Sequence, residues 1–167
     1  MQQLINQIRY RKATFDDAKI IKSLLVHAFK NNEGLFLPLK PTEHNATVFY
    51  MTEIRPIIIN DDPCLIAFDG EREVALSCCS TGVNNAYDLT KRIALGGITV
   101  TKKQYRRQGI ADQLRKVMLS LLKEKGIDFV LSDISKSNTS SEKGCKKIAE
   151  EKSLFFNEIS VKYECEI

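Results

Sequence analysis

A short apolar run that ends in a basic, glycine-containing loop constrains the fold of this chain more than any other feature. Residues 98–100 read Ile-Thr-Val, residues 106–111 read Arg-Arg-Gln-Gly-Ile-Ala, and an amphipathic helical pattern follows at once. This order predicts a strand, a loop and a helix whose first N–H groups have no partners inside the helix. Because the helix dipole and two guanidinium groups favour an anion there, the sequence indicates a phosphate or pyrophosphate site. A plain solvated loop is the alternative, since a single glycine motif is weak evidence.

Two small residues in the loop favour the anion site. Gly109 lacks a Cβ, so a ligand can approach its backbone and a positive φ is available to it. Ala111 keeps the first helical turn small at the point where that turn would meet the ligand.

The same loop resembles a family motif. It matches the R/Q-x-x-G-x-G/A pattern of the GCN5-related N-acetyltransferases, although segment 101–105 is slightly longer than is usual and lacks the frequent proline. In that family the loop holds the pyrophosphate of acetyl-CoA, and the preceding strand offers backbone groups to the pantetheine arm. The resemblance therefore implies acetyl-CoA, or another acyl-CoA, as cofactor. The cofactor-binding residues it implies are Ile98, Thr99, Val100, Arg106, Arg107, Gln108, Gly109, Ile110, Ala111 and Asn138.

The composition predicts one soluble domain over residues 1–167. Hydrophobic residues make up 43% of the chain and charged residues 28%, as in a globular protein with one substantial core. The chain has neither an apolar run near the ~20 residues that span a bilayer nor a signal-peptide pattern at its N-terminus. Five irregularly spaced cysteines and two histidines predict reduced thiols in the cytoplasm and no metal site.

Hydrophobic periodicity and turn residues predict the element order β-α-α-β-β-β-α-β-α-β-β. We expect helices to begin after Thr14 and Thr42, the second ending near residue 54 because Pro56 follows. Asp69-Gly70 predicts a hairpin, and Gly96-Gly97 inside a strand predicts a bulge or a close backbone approach. Further helices are expected at about 109–125 and 141–152, a strand at 127–131, and final strands at 154–156 and 159–163.

This element order is that of the acetyltransferase family. The resemblance implies an α/β (α+β) fold with a mixed, mostly antiparallel sheet of six to seven strands flanked by about four helices. In the family, a bulge splays the fourth strand from the fifth, and the pantetheine arm enters the gap.

The general base is implied by a second resemblance. Acyl transfer from a thioester to an amine needs the amine to lose a proton, and two separated histidines do not indicate a catalytic triad, so direct transfer without an acyl-enzyme is favoured. Segment 28–35 is similar to the F-x-x-x-E-P-L segment of arylalkylamine N-acyltransferases, which implies Glu33 as base, with Gly34 in place of the usual proline. A solvated glutamate at a helix end is the alternative.

The proton donor for the leaving thiolate differs from the one that the family often uses. The family often uses a tyrosine in the helix after the fifth strand, and helix 141–152 contains none. Ser141 and Cys145 fall near positions where the arylalkylamine branch carries serines, so the resemblance implies them as donors, and Asn138 as a partner of the pantetheine amide. A small core cysteine and a turn asparagine are the alternatives.

The leading hypothesis is an acetyl-CoA-dependent N-acetyltransferase, monomeric or homodimeric, that acts on the primary amine of a small molecule. Connector 82–91 is short where the arylalkylamine branch usually has a long insertion, so polyamine, amino-acid and protein or peptide amines stay open as acceptors. A non-catalytic acyl-CoA-binding module is an alternative. A nucleic-acid partner is not expected, because the net charge is only +4 and no aromatic residues alternate with the basic ones, and neither is a membrane partner.

Overall fold

Five strands form one sheet in the order β1-β2-β3-β4-β5. They belong to a computed structural model that describes residues 8–31, 39–84, 92–132, 134 and 138–151. The strands are β1 (Ile8–Lys12), β2 (Cys64–Asp69), β3 (Arg72–Asn84), β4 (Arg92–Thr101) and β5 (Phe129–Ser132). Neighbours are antiparallel except β4 and β5, which are parallel. This is the mixed, mostly antiparallel sheet that the sequence predicts.

The strand count differs from the predicted six to seven. The described residues contain five strands, and the two C-terminal strands expected at 154–156 and 159–163 lie outside them. The fifth strand begins at Phe129, two residues later than predicted. Ile127 lies before it, where its N–H donates a hydrogen bond to the carbonyl of Leu122 at 3.0 Å.

The helices are α1 (Ala18–Lys30), α2 (Glu43–Phe49), α3 (Arg55–Ile59), α4 (Ile110–Glu124) and α5 (Thr139–Glu151). A π-helical turn, Tyr50–Ile54, joins α2 to α3 without a break. The prediction that Pro56 ends the second helix is therefore wrong. Pro56 lies in the first turn of α3, where its missing N–H is tolerated because the wide turn before it restarts the hydrogen-bond pattern.

Helices cover both faces of the sheet. Successive residues of a strand point to opposite faces, so each strand contributes to both layers of the core. On β2, Ile66 and Phe68 pack with α1 and the α2–α3 helix, whereas Leu65 and Ala67 pack with α4. The apolar stripes of α1 and α4 face the sheet. Their buried members are Ile21, Leu24, Leu25, Ala28 and Phe29 on α1 and Leu114, Met118 and Leu122 on α4, and their partly buried members are Ala18, Val117 and Leu121. No helix in the described ranges is long and apolar enough to span a bilayer.

The turn at the start of α1 is fixed by an ion pair with β1. The guanidinium of Arg11 donates two hydrogen bonds to the carboxylate of Asp17, at 2.7 and 2.6 Å. The same guanidinium lies over the ring of Phe68, with Cζ 4.8 Å from the centroid. Asp17 is buried and also accepts the N–H of Thr14 at 2.8 Å. The hydrogen bonds from Arg11 lower the pKa of Asp17 below its ordinary value.

We expect Asp17→Asn to lower the free energy of unfolding by about 2 kcal/mol near neutral pH, because charge-assisted hydrogen bonds are lost. Since the folded state lowers the pKa of Asp17, the stabilisation is present above the unfolded pKa and disappears as pH falls through the folded pKa. Urea titrations near neutral pH and in acid measure this difference. Asp16→Asn, at an exposed position of the same turn, is the control. Equal stability of Asp17→Asn and the wild type near neutral pH would contradict the role of the pair.

Candidate functional site

The loop from Lys102 to Gly109, termed the anion loop below, follows β4 and leads into α4. A short 3-10 turn, Lys103–Tyr105, opens it. Arg107 then adopts φ +58° and Gly109 φ +80°, so two left-handed residues stand within three positions. Left-handed residues of this kind build the concave backbone of anion-binding nests. A positive φ at an arginine is uncommon and carries strain of the sort that gathers at functional sites.

The first turn of α4 presents unpaired backbone donors. Gly109 is the N-cap, and its carbonyl accepts the N–H of Gln113 at 2.9 Å. Within the described part of the chain, no carbonyl accepts from the N–H groups of Ile110, Ala111 or Asp112. The predicted helix start at Gly109 is confirmed, and the donors expected for an anion site are present there.

Side chains around this turn also suit a polar ligand. Arg106 and Arg107 are exposed, and Nε of Arg106 donates to the carbonyl of Thr101 at 3.3 Å. Two buried oxygens beside the loop, Oγ1 of Thr101 and Oε1 of Gln108, have no hydrogen-bond partner within the described residues. Buried polar atoms are rarely left unpaired, so these two atoms point to a polar group that completes the site.

Two side chains of the anion loop tie it to the sheet. The hydroxyl of Tyr105 donates to Oδ2 of Asp69 at 2.8 Å, and this hydrogen bond raises the pKa of the buried Tyr105. The ammonium of Lys102 lies 2.7 Å from Oε1 of Glu73. Burial raises the pKa of Glu73, but the hydrogen bond and charge of Lys102, a backbone N–H and the hydroxyl of Ser23 together outweigh it, and the pKa lies below its ordinary value.

A third contact ties the loop to α1. Nε2 of His27 accepts the N–H of Lys103 at 3.1 Å, so this nitrogen carries no proton. Burial lowers the pKa of His27, and the positive charges of Arg106, Lys102 and Lys30 lower it further. Sequence reasoning missed this contact, because no local pattern links a helix residue to a loop 76 positions away.

The strand before the loop is paired with β5 only in its first half. Within the described residues, this parallel pairing runs from Ile93 opposite Phe129 to Gly96 opposite Ser132. On its other side, β4 carries an extra residue relative to β3, as the predicted bulge requires. A Cβ at Gly97 would lie 2.9 Å from both the carbonyl oxygen and Sγ of Cys78, so only glycine fits there without a shift.

The predicted pantetheine-binding residues Ile98, Thr99 and Val100 follow the last pair of β4 with β5. Within the described residues, no strand is paired with them on the side of β5. Oγ1 of Thr99 is hydrogen-bonded to Oγ of Ser77 at 2.9 Å, which holds this part of β4 on β3.

Asn138 and Ser141 lie at the start of α5. Oδ1 of Asn138 accepts the N–H of Ser141 at 3.2 Å, so Asn138 caps the helix. Oγ of Ser141 accepts a hydrogen bond from Nη2 of Arg115 at 3.2 Å, which leaves the hydroxyl proton available for donation. Cys145 follows Ser141 by one turn and is half-buried. The predicted base, Glu33, lies outside the described residues.

The two helices α4 and α5 approach each other closely beside the anion loop. A Cβ at Gly144 would lie 2.5 Å from Nη1 of Arg115. The carboxylate of Asp112, in the first turn of α4, lies 3.4 Å from Nη1 of Arg115 and 3.5 Å from Nζ of Lys147. These two cations offset a negative charge that would otherwise oppose an anion at the helix N-terminus.

Solved structures resemble this arrangement, whereas no protein-family model and no curated protein sequence matches the chain. The aminoglycoside acetyltransferase meta-AAC0020 from an uncultured soil metagenomic sample, in complex with sisomicin, is 13% identical with a TM-score of 0.68, covering 98% of this chain and 99% of its own. An N-acetyltransferase from Staphylococcus aureus Mu50 is 18% identical with a TM-score of 0.66, covering 84% and 81%. The chain has the fold of these acetyltransferases.

A third neighbour holds a cofactor. The structure of yncA from Salmonella typhimurium, solved with its cofactor acetyl-CoA, is 11% identical with a TM-score of 0.68 and covers 84% of this chain and 78% of its own. At such identities the likeness lies in the fold, and the roles of individual residues rest on the geometry described above.

We expect Gly97→Ala to lower the free energy of unfolding by about 1–3 kcal/mol, because the new Cβ would meet the backbone of Cys78 in a packed strand. Urea denaturation measures the change. Gly82→Ala on β3 is the matched control, since a Cβ there meets nothing within 4 Å. If Gly97→Ala is no less stable than Gly82→Ala, the close approach at the bulge is not a structural requirement.

Proposed function

We propose that this protein is an acetyl-CoA-dependent N-acetyltransferase that transfers an acetyl group directly to the primary amine of a small molecule. The observation that carries the proposal is the junction at Gly109, where helix N–H groups without a partner in the described residues and a left-handed arginine follow strand β4. The acetyl-CoA in the yncA neighbour and the aminoglycoside acetyltransferases of the same fold support the choice of donor and of an amine acceptor.

The residues present fit a CoA thioester. The N–H groups of the first turn of α4 receive the pyrophosphate, and Arg106 and Arg107 offset its charge. At residues 98–100, where no described strand pairs with β4 on the side of β5, the backbone offers donors and acceptors to the amides of the pantetheine arm. When bound, the thioester supplies the activated acetyl group.

Direct transfer requires two proton movements by this chain. Glu33 takes the proton from the acceptor amine, whose nitrogen forms the new bond to the acetyl carbon as the carbon–sulfur bond breaks. Ser141 gives its hydroxyl proton to the departing thiolate, with Cys145 one turn away as the second candidate. The hydrogen bond from Arg115 supports Ser141 in this role, because it fixes the oxygen as an acceptor and leaves the proton for donation.

The nearest acceptor class is an arylalkylamine, on the resemblance of segment 28–35 to that branch. Polyamines, amino acids and peptide amines are further candidate acceptors, because connector 82–91 is shorter than the insertion of the arylalkylamine branch. The lack of a tyrosine in residues 139–151 favours a second candidate, an acyl-CoA-binding module without catalytic activity.

We expect Gly109→Glu to abolish CoA binding, because the new carboxylate would occupy and oppose the anion site at a residue with positive φ. Calorimetric titration with CoA measures the affinity. Gly70→Glu is the matched control, since Gly70 also has positive φ, with open space around its Cβ, and lies in the β2–β3 hairpin. Retained CoA affinity in a folded Gly109→Glu variant would exclude the site.

We expect Glu33→Gln to lower kcat by about 10²-fold or more and to leave CoA affinity nearly unchanged, because it removes a base and no cofactor contact. Thiol release from acetyl-CoA with a panel of amines measures turnover, and the exposed Glu53→Gln is the control. A wild-type pH–rate profile in Glu33→Gln would remove Glu33 from the mechanism. Tight CoA binding with no turnover on any amine would favour the binding module.

A further inference from the structure

The contact between α1 and the anion loop joins two parts of the chain that are far apart in sequence. His27 lies in the last turns of α1, followed by the buried Ala28 and Phe29, so packing fixes its backbone. Its Nε2 accepts the N–H of Lys103, the first residue of the turn that opens the loop. The position of that turn therefore depends on an imidazole nitrogen that accepts a hydrogen bond.

We infer that His27 is a positioning residue for the anion loop, whose neutral imidazole holds Lys103 and thereby keeps the loop in the form that binds the diphosphate of a CoA-type ligand. This inference rests on the proposed function and deepens it, because it adds a residue from outside the motif to the binding of the donor.

Protonation removes this acceptor. An imidazolium is a donor at both ring nitrogens, so its Nε2–H would face the N–H of Lys103. Among the described residues, the charges that act on the pKa of the ring are those of Arg106 and Lys102 on the loop and Lys30 on α1, all positive, while Glu73 on β3 is bound to Lys102. Partial burial and these charges lower the pKa of His27, so the accepting form is the one present near neutral pH.

Two effects of acid on affinity oppose each other. A positive imidazolium attracts a diphosphate, but Arg106 and Lys102 already supply positive charge beside the ring, and salt screens the added attraction. When two donors face each other, the hydrogen bond is lost and the turn is displaced. This loss weakens CoA binding about fivefold, which corresponds to about 1 kcal/mol. We expect the second effect to prevail, so that affinity for CoA falls as His27 gains a proton.

The test compares three variants by calorimetric titration with CoA from neutral pH to about pH 5. His27→Leu removes the acceptor and should weaken binding about fivefold near neutral pH, whereas His27→Gln should rescue it, because the glutamine carbonyl accepts a hydrogen bond at any pH. The wild type should lose about fivefold more affinity in acid than His27→Gln. His44→Gln, at the exposed second histidine of the chain, should follow the wild type at every pH.

Titration of CoA itself does not confuse this comparison. A phosphate monoester on the ligand also gains a proton near pH ~6, but it does so equally with every variant. If His27→Gln keeps the full pH dependence of the wild type, or if His27→Leu binds as tightly as His27→Gln, the inference is overturned. Should His27→Leu fail to fold, the pH comparison of the wild type with His27→Gln decides alone. Lack of CoA binding by the wild type would instead refute the proposed function.

Discussion

The parallel pairing of β4 with β5 is the constraint on which the rest of the site depends. Two parallel neighbours need a crossover connection, and α4 supplies it, following β4 through the anion loop. Within the described residues, the pairing of β4 with β5 ends at Gly96, before the part of β4 that leads into this loop. One topological condition therefore places a helix N-terminus directly after the C-terminal part of β4 in the chain.

Charges around this junction are balanced by contacts from outside the motif. Lys102 is paired with Glu73, Asp112 is drawn to Arg115 and Lys147, and Arg106 and Arg107 stay exposed. The loop backbone is held from three directions, by β2 through Tyr105, by β3 through Lys102 and by α1 through His27. Such bracing allows the left-handed Arg107 to persist, because strained conformations need surroundings that fix them.

Much of this fold can be predicted from local sequence signals. The hairpin at Asp69-Gly70, the bulge at Gly96-Gly97 and the helix start at Gly109 all depend on glycines whose conformation or packing the structure explains. The prediction at Pro56 was wrong because a proline ends a helix only where a backbone N–H is needed at its position. The π-helical turn before Pro56 removes that need.

The candidate site is predictable only in part. The donor-binding loop is contiguous in sequence, so its motif and its helix start could be predicted together. The contacts of Ser141 with Arg115 and of Lys103 with His27 join residues 26 and 76 positions apart, and no periodicity encodes them. Gly144 gives a weak signal, since a glycine inside a helix is unfavourable unless a neighbour approaches closely, as Arg115 does. Glu33, outside the described residues, stays a prediction.

The central claim is that the N-terminus of α4 and residues 97–100 of β4 together bind the CoA donor. Amide chemical shifts of isotope-labelled protein, followed during titration with CoA, test it most directly because they report every backbone N–H separately. The account requires the largest changes at residues 108–112 and along 97–100, with little change in the β2–β3 hairpin. Saturable binding that leaves both of these segments unchanged and shifts amides elsewhere would contradict it.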